Sequence, residues 1–266
     1  MAISQLAEHG IPIKTACKRL EMPRASFYRE TRGKDSSLLS KIKEFALRFP
    51  AYGYRKITEL LRREGMKVNH KRVYRLYKLA GLQKPSFRSK RKRMRERVSF
   101  SPTPALYPGH IFAIDFIHDR TESGKMLRIF NIIDIFSRRA FEAEVGYSLP
   151  GERISSHLEK IFLEFGAPKI IRRDDGSEFR SKEFQTLLSK WRIKDEVIPA
   201  GQPFDNGYIE SFHGRMRDEV LKMEVFPDAE TAKERILKWI EEYNRLRPHS
   251  MLGNKTPMEV WNGKKG

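Results

Sequence analysis

Hydrophobic residues recur at helical spacing through residues 52–82, "YGYRKITELLRREGMKVNHKRVYRLYKLAGL", with polar residues between them. The first part of this pattern predicts an amphipathic helix that Gly65 ends, because glycine readily takes the left-handed conformation that follows a helix. Asn69 is a suitable N-cap for a second helix, which Gly81 ends. Two short helices joined by a turn are typical of a helix-turn-helix unit.

A shorter pattern of the same kind lies near the N-terminus, in "IPIKTACKRLEMPRASFYRE". Ile13, Ala16 and the apolar residues that follow predict one helix, and Pro23 suits the first turn of a second. Arg24 and Arg29 on this second helix are candidate DNA contacts. Any small helical hairpin has such a pattern, so this segment alone does not establish a helix-turn-helix.

Beyond residue 105 the pattern changes to short apolar runs that alternate with helical stretches. Strands are predicted in "HIFAIDFIHD", "LRIFNIIDIFSR", "RAFEAEVGYS", "PKIIRR" and "KDEVIPA". Helices are predicted in "ISSHLEKIFLEFG", "SKEFQTLLSKW" and "DNGYIESFHGRMRDEVLKM". Three strands followed by alternating helices and strands predict an α/β domain with a mixed sheet.

The whole pattern predicts four segments, of which the third is a linker. Its sequence, "KPSFRSKRKRMRERVSF", is strongly basic and is followed by the proline-bearing "SPTPALYPG". The predicted limits are residues 1–48 and 49–83 for two helix-turn-helix-like segments, 84–105 for the basic linker and 106–266 for the α/β domain.

The net charge of +19 is distributed unevenly along the chain. Residues 1–100 contain 27 Lys and Arg but 8 Asp and Glu, so they carry the whole excess. A solvated basic tail would lack the helical periodicity and the aromatic residues of this part, which is therefore predicted to bind nucleic acid. The candidate phosphate contacts, for which an ordinary solvated helix surface is the alternative, are Lys71, Arg72, Arg75 and Lys78.

Composition excludes several other classes of protein. Hydrophobic residues make up 39% of the chain, enough for a folded core. No apolar run approaches the roughly 18 residues of a membrane span, and no signal peptide follows Met1. Cys17 is the only cysteine, which excludes an intramolecular disulfide and a cysteine-rich zinc site. We therefore expect a cytoplasmic protein without a membrane partner.

Three acidic positions stand out in the α/β domain. Asp115 lies in the apolar strand "FAIDFI", where an ionised side chain needs a neutralising partner. Asp174 and Asp175 directly follow an apolar strand, and at most one of two adjacent side chains faces a given site. Glu210 lies on a helix with Arg217 two turns later on the same side. Each residue alone has an ordinary explanation, such as an ion pair or a solvated surface.

Together, three carboxylates supply the oxygen ligands that hard divalent cations take in proteins. Two such ions, about 3.5–4 Å apart, activate a water or a 3′-hydroxyl and stabilise the leaving oxygen of a phosphodiester. This chemistry needs no side-chain nucleophile, in keeping with the lack of a convincing Ser/His/Asp or Cys/His arrangement in the sequence.

From about Ile111 onwards the chain resembles the DDE transposases of bacterial insertion sequences, which are relatives of retroviral integrases. The motifs that carry the resemblance are "IDFIHD", "IIDIFSR", "IIRRDDGSEF", "DNGYIESFHGRMRDE" and "YNRLRPHSMLGNKTPMEVW". Residues 52–82 resemble the helix-turn-helix that precedes the core in this family. The resemblance implies an α/β fold with a ribonuclease-H-like mixed sheet and flanking helices, preceded by a small all-α helix-turn-helix region.

The spacing found in this family distinguishes the two adjacent aspartates. The family places 35 residues between its second aspartate and its glutamate, as between Asp174 and Glu210 here, whereas Asp175 leaves 34. The resemblance thus implies that Asp115, Asp174 and Glu210 are catalytic and bind Mg²⁺, or Mn²⁺ in its place, as two ions. It also implies that Arg217 contacts DNA phosphate.

Four neighbouring positions are not expected to bind metal: two match the family pattern and two depart from it. Asp119 and Asp134 match acidic family positions, which we expect to be structural. Phe112 and Phe116 stand where many relatives have a tryptophan and a polar residue. These two differences concern the subgroup and leave the carboxylates intact.

The resemblance implies a DNA transposase, a metal-dependent polynucleotidyl transferase that nicks element ends and transfers the freed 3′-hydroxyl into DNA. Expected partners are the terminal repeats, target DNA and further copies of the chain in a homo-oligomer at the bacterial nucleoid. Many such elements use two reading frames, so we expect a downstream-frame product with an upstream-frame protein or fusion as a partner. The alternatives are a non-catalytic DNA-binding regulator with a relic integrase fold and a ribonuclease-H-type nuclease.

Overall fold

The computed structural model describes residues 6, 10–24, 34–83, 102–199 and 206–263. The chain forms two compact units, Met1–Ser86 and Phe87–Gly266. The second N-terminal helix predicted around Arg29, and most of the predicted linker, lie outside the described residues. Within the described ranges, no helix is both long and apolar enough to cross a membrane.

The first unit is helical in its described parts. Helix α1, Ile13–Arg19, buries Ala16 and Cys17. Three further helices, α2 to α4, pack against one another and span Lys34–Arg48, Tyr54–Arg63 and His70–Leu79. The side chains that these three helices bury include Leu38, Ile42, Phe45, Ile57, Leu61, Val73 and Leu76.

The ends of α3 and α4 follow the predicted cap residues. Oδ1 of Asn69 accepts a hydrogen bond from the N–H of Lys71 at 2.9 Å, at the start of α4. Gly65 and Gly81 follow α3 and α4 with φ of +83° and +68°, a conformation that strains residues with a side chain. The predicted caps of this helix pair are therefore confirmed.

The second unit is built on a five-stranded mixed sheet, as the sequence predicts. Strands β1 to β5 span Ile111–Arg120, Met126–Asp134, Glu144–Gly146, Ile170–Arg173 and Lys194–Val197. Their order in space is β3-β2-β1-β4-β5. β2 is antiparallel to both β1 and β3, whereas β4 pairs in parallel with β1 and with β5.

Strand β3 is much shorter than the strand predicted over residues 139–148. Ala140 forms only an isolated bridge to Ile133 of β2. The N–H of Ala140 donates to the side-chain oxygen of Asn244 at 2.9 Å, and its carbonyl accepts from the Asn244 amide at 2.7 Å. A side chain thus satisfies the backbone groups of Ala140, which removes the need for a further strand there.

Helices flank the sheet on both faces. In chain order, α5 to α9 span Gly151–Phe165, Lys182–Trp191, Gly207–Met216, Ala229–Arg245 and Pro257–Asn262. A π-helical turn, Arg217–Leu221, continues α7, and a 3-10 turn, Ser177–Arg180, precedes α6.

Side chains of β1 alternate between two hydrophobic layers, one on each face of the sheet. Ile111, Ala113 and Ile117 pack in the layer of α7 and α8. Phe112 and Ile114 pack in the layer of α5 and α6. The predicted inner face of α7 and its π-helical turn is confirmed by the burial of Ile209, Phe212, Met216 and Val220.

A buried ion pair ties the segment before β1 to the sheet. Arg172 of β4 is 2% exposed, and its Nε donates to Oε2 of Glu196 on β5 at 2.6 Å. The other carboxylate oxygen of Glu196 accepts from the N–H of Thr103 at 3.1 Å, and Nη2 of Arg172 donates to the Thr103 carbonyl at 2.5 Å. Removal of either charged partner would leave a buried charge uncompensated.

Arg172→Met is therefore expected to lower the free energy of unfolding by about 3–5 kcal/mol. Urea denaturation followed by circular dichroism measures this loss. The matched control is Arg245→Met, which breaks an exposed pair with Glu241 and should change the free energy by about 0.5 kcal/mol or less. Equal losses in the two variants would show that the buried pair does not stabilise the sheet.

Candidate active site

Asp115 lies in the middle of β1 and points into the layer of α7. It shares a strand face with Ile111, Ala113 and Ile117, because alternate side chains of a strand face the same side. Its side chain is 22% exposed. Oδ1 of Asp115 accepts a hydrogen bond from the N–H of Phe116 at 2.7 Å, so the backbone orients this carboxylate.

The parallel pairing of β1 with β4 brings Asp174 to the same part of the sheet. Ala113 pairs with Arg172, and Asp115 and Asp174 each follow two residues later along their chains. Asp174 is exposed, and its Oδ1 accepts a hydrogen bond from the N–H of Gly176 at 3.1 Å. The strand register therefore directs the two aspartates to the same part of the sheet, near enough for the charge of Asp174 to act on Asp115.

Asp175 has different surroundings from its neighbour. Nε of Arg180 donates to Oδ1 of Asp175 at 2.9 Å. The side chain of Arg180 is 64% exposed and that of Asp175 is 50% exposed. The hydrogen bond from Arg180 lowers the pKa of Asp175. Asp175 is thus ion-paired with Arg180 in the turn that follows β4.

Glu210 is exposed in the first turn of α7, and its charge acts on Asp115. The pKa of Asp115 is raised to about 7, chiefly by burial, with the charges of Asp174 and Glu210 adding to the rise. The hydrogen bond from the N–H of Phe116 opposes it. The three predicted carboxylates are thus close enough for two of them to destabilise the third as an anion.

The three carboxylates supply the oxygen donors that hard divalent cations take. In the described part of the chain, however, no three His, Cys, Asp or Glu side chains are grouped closely enough to hold one ion as they stand. The carboxylates are near one another without a closed coordination sphere. A cation fits their electrostatics, because it would offset both the burial and the repulsion that raise the pKa of Asp115.

His213, one turn after Glu210 on α7, is a site residue that the sequence analysis missed. Its Nδ1 lies 3.6 Å from Oδ2 of Asp115, and its Nε2 lies 3.1 Å from the side-chain nitrogen of Asn131. Burial, and then the charge of Arg217, lower the pKa of His213 to about 4, so the imidazole is neutral at neutral pH. Its helical spacing of three from Glu210 is a signal that sequence analysis could have used.

Asp134 has a structural position, as expected. It is fully buried at the end of β2 and accepts hydrogen bonds from the N–H of Gly109 at 2.9 Å and from the N–H of Ser137 at 2.7 Å. The Ser137 hydroxyl donates to the same carboxylate at 2.6 Å. Burial raises the pKa of Asp134 against these bonds. Asp119 is half-buried near the end of β1.

The candidate DNA contacts on α4 fall into two groups. Nε of Arg72 donates to Oδ1 of Asp35 at 2.8 Å, and Nη2 of Arg75 donates to Oδ2 of Asp35 at 2.6 Å. These two arginines connect α4 to α2. Lys71 and Lys78 are exposed on α4. The two arginines of this helix are therefore ion-paired within the unit, whereas the two lysines point to solvent.

Three further candidate DNA contacts lie outside α4. Arg217 is exposed at the start of the π-helical turn, and its charge reaches His213. Arg24 is exposed at the end of the described range 10–24. Arg29 lies outside the described residues.

Family comparison assigns domains to both units. The Integrase core domain is matched at residues 106–203 and again at residues 191–257. Together these two matches contain all five strands and the three carboxylates. An HTH-like domain is matched at residues 34–93, which contain α2 to α4.

One relative covers nearly the whole chain. The 31.7 kDa protein of insertion element IS407 from Burkholderia multivorans is 32% identical over 255 residues, which are 94% of this chain and 90% of the relative. The chain belongs to the DDE-type insertion-sequence transposases. This transposase is also 25% identical to the putative transposase InsK of insertion sequence IS150 from Escherichia coli K12, over 94% of each protein.

A solved structure shares the fold of the transposase. A chain in the simian T-cell lymphotropic virus intasome, in complex with PP2A regulatory subunit B56 gamma, gives a TM-score of 0.52 at 16% identity. The similarity covers 83% of this chain and 74% of that one. The ribonuclease-H-like fold is thus confirmed. The two-frame arrangement, the segment limits at residues 48, 83 and 105, and the roles of individual site residues stay predictions.

Ionised Asp115 is expected to destabilise the metal-free transposase. Folding raises the pKa of Asp115 from 3.8 to about 7, so this carboxyl group lowers stability progressively as the pH rises between these values. Asp115→Asn removes the penalty and should raise the Tm in EDTA at about pH 7.5 by several degrees, since 1 kcal/mol corresponds to about 2–4 °C. The gain should be smaller at about pH 5, where the native carboxyl is protonated.

Scanning fluorimetry with and without Mg²⁺ completes this test. Mg²⁺ should raise the Tm of the unaltered transposase, because an ion that binds only the folded state stabilises it, and should leave Asp115→Asn unchanged. A gain for Asp115→Asn that is the same at both pH values would contradict the raised pKa.

Proposed function

We propose that this transposase is a metal-dependent polynucleotidyl transferase. It nicks DNA at the ends of an insertion sequence and transfers the freed 3′-hydroxyl to target DNA. The observation that supports this proposal is the raised pKa of Asp115, to which the charges of Asp174 and Glu210 contribute. A largely buried carboxylate with two exposed carboxylates near it favours a cation there, because an uncompensated buried charge is costly.

Asp115, Asp174 and Glu210 would hold Mg²⁺, or Mn²⁺ in its place, as two ions. When bound, such ions supply Lewis-acid stabilisation of the phosphodiester and activation of a water or 3′-hydroxyl. The chain orients its own ligands, since the N–H groups of Phe116 and Gly176 each bond one oxygen of an aspartate. These backbone donors restrict the carboxylate rotamers, so less side-chain entropy is lost when a cation binds.

Exposed basic side chains would hold the DNA. In the first unit, Lys71 and Lys78 share the outer face of α4 with Tyr74, which is 42% exposed. In the second unit, Arg217 is exposed one helical turn beyond His213. Guanidinium and ammonium groups bind phosphate, so these contacts would position DNA without determining its sequence.

Arg72 and Arg75 have a second role in this proposal. Their bonds to Asp35 connect α4 to α2, and we expect them to stabilise the unit whether or not DNA is bound. Their contact with DNA stays a prediction, as does that of Arg24.

The terminal repeats of the element would be the first DNA bound, followed by target DNA. Transposition joins two ends to one target, so at least two copies of the chain would act together as a homo-oligomer on DNA. An intasome, the assembly to which the solved relative belongs, is consistent with this arrangement.

The adjacent aspartates provide a matched test of the site. Asp174→Asn should lower Mg²⁺-dependent nicking of end-containing DNA by about 100-fold or more, because even residues that only orient a metal ligand contribute about 10–100-fold. Asp175→Asn breaks only an exposed pair with Arg180 and should change the rate by about fivefold at most.

Nicking and joining are measured on labelled DNA in Mg²⁺ and in EDTA, and DNA binding by fluorescence anisotropy. Binding should survive both substitutions. If Asp175→Asn were inactive and Asp174→Asn active, the assignment would be wrong. A lack of metal-dependent cleavage by the unaltered chain would favour the non-catalytic regulator, and a preference for RNA–DNA hybrids would favour a ribonuclease-H-type nuclease.

Substitutions on α4 distinguish DNA contacts from residues that stabilise the unit. Lys71→Ala and Lys78→Ala should each reduce the slope of log K against log salt by about 1 and weaken binding to all sequences alike. Arg72→Ala should also lower the Tm, because Asp35 loses a partner. An unchanged salt slope for both lysine variants would show that this face of α4 does not meet DNA.

A further inference from the structure

Three polar side chains form a row beneath α7. Asp115 of β1 and Asn131 of β2 are direct partners in the antiparallel register. His213 of α7 reaches both, with Nε2 at 3.1 Å from the Asn131 side-chain nitrogen and Nδ1 at 3.6 Å from Oδ2 of Asp115. The imidazole thus lies between the amide and the carboxylate.

The orientation of the Asn131 amide determines where the imidazole carries its hydrogen. Nδ2 of Asn131 lies 3.4 Å from the carbonyl of Ile129, which can only accept a hydrogen bond. In this orientation the same NH₂ group faces Nε2 of His213, which makes Nε2 the acceptor and leaves the buried Oδ1 of Asn131 without a hydrogen-bond partner in the described part of the chain. In a neutral imidazole the hydrogen then sits on Nδ1, the nitrogen that faces Asp115.

We propose that His213 is a positioning residue for Asp115: held by Asn131 as the Nδ1–H tautomer, it directs one carboxylate oxygen into the orientation that the metal site requires. The inference rests on the proposed metal-binding role of Asp115. His213 takes no part in the chemistry itself and acts through this carboxylate.

Burial of these polar groups supports a positioning role. Asn131 is 1% exposed and His213 is 9% exposed, and Ile129 and Ile133, which share the strand face of Asn131, are buried apolar residues. Burial of an amide and an imidazole is unfavourable unless they are hydrogen-bonded. Apolar side chains would fill this space at lower cost, so the polar pair needs a reason other than packing.

The neutral state of His213 also suits this role. The NH₂ group of Asn131 faces Nε2 and leaves no room for a hydrogen there, which makes a single neutral tautomer the working form. A neutral Nδ1–H donor can orient Asp115 without adding a fixed positive charge that would compete with a metal cation.

Two substitutions that both introduce a carboxamide, at different distances from the backbone, distinguish this role from packing. The amide nitrogen of asparagine is attached at Cγ, as Nδ1 is, so His213→Asn keeps a donor near Asp115. The amide nitrogen of glutamine lies one bond further out, as Nε2 does, so His213→Gln removes that donor. His213→Phe keeps the ring and removes both nitrogens. The positioning role predicts that the asparagine variant binds metal better than the other two.

Metal binding to the full chain without DNA is measured with Mn²⁺, through the electron paramagnetic resonance signal of the free ion. His213→Gln and His213→Phe should bind Mn²⁺ about 10–100-fold more weakly than the unaltered chain. His213→Asn should stay within about fivefold of it. Thermal melts in EDTA check that every variant is folded.

The tautomer is measured directly by nitrogen-15 NMR of the histidine rings in the metal-free chain. The His213 signals, identified by their loss in His213→Gln, should show the hydrogen on Nδ1. Asn131→Leu removes the amide and should give a mixture of tautomers or the Nε2–H form. An Nε2–H imidazole in the unaltered chain would overturn the proposal.

Equal Mn²⁺ affinities for His213→Asn and His213→Gln would also overturn it, because the position of the donor would then not matter. The control Asp115→Asn separates this failure from that of the proposed function. If Asp115→Asn leaves Mn²⁺ binding intact, the metal site itself is wrong. If Asp115→Asn abolishes binding and His213→Phe does not, only the positioning role is wrong.

Discussion

One electrostatic constraint dominates the second unit: a carboxylate is held within an apolar strand beside two other carboxylates. Burial and the charges of Asp174 and Glu210 make ionised Asp115 unfavourable. The residues of β1 on either side of it, 111–114 and 116–117, are apolar and pack into the two layers formed with α5, α6, α7 and α8. The apolar core on both faces of the sheet offsets the free energy that ionised Asp115 costs, as is common at functional sites.

Strand register and helix packing convert this constraint into a site. The pairing of Ala113 with Arg172 sets Asp115 beside Asp174, and a slip of one residue would turn one of them to the other face. The apolar stripe of α7 is buried, which fixes how the helix rotates and so where Glu210 and His213 point. The apolar packing of α7 on the sheet thus determines the positions of Glu210 and His213.

Much of the fold could be predicted from the sequence because its signals are local. Helical periodicity, the N-cap of Asn69 and the positive φ of Gly65 depend on residues within one or two turns. The five strands were predicted for the same reason, except in the extent of β3. There the backbone of Ala140 is satisfied by Asn244, 104 residues away, and no local pattern indicates such a partner.

The sequence by itself determined the succession of elements, the basic character of the first 100 residues and, through the resemblance, the three acidic positions with 35 residues between the last two. Only the tertiary structure decided which polar groups meet. His213 lies 82 residues from Asn131, and Asp35 lies 37 residues from Arg72. Such pairs depend on how elements pack across the chain, whereas a sequence pattern reports only the residues close to one another along it.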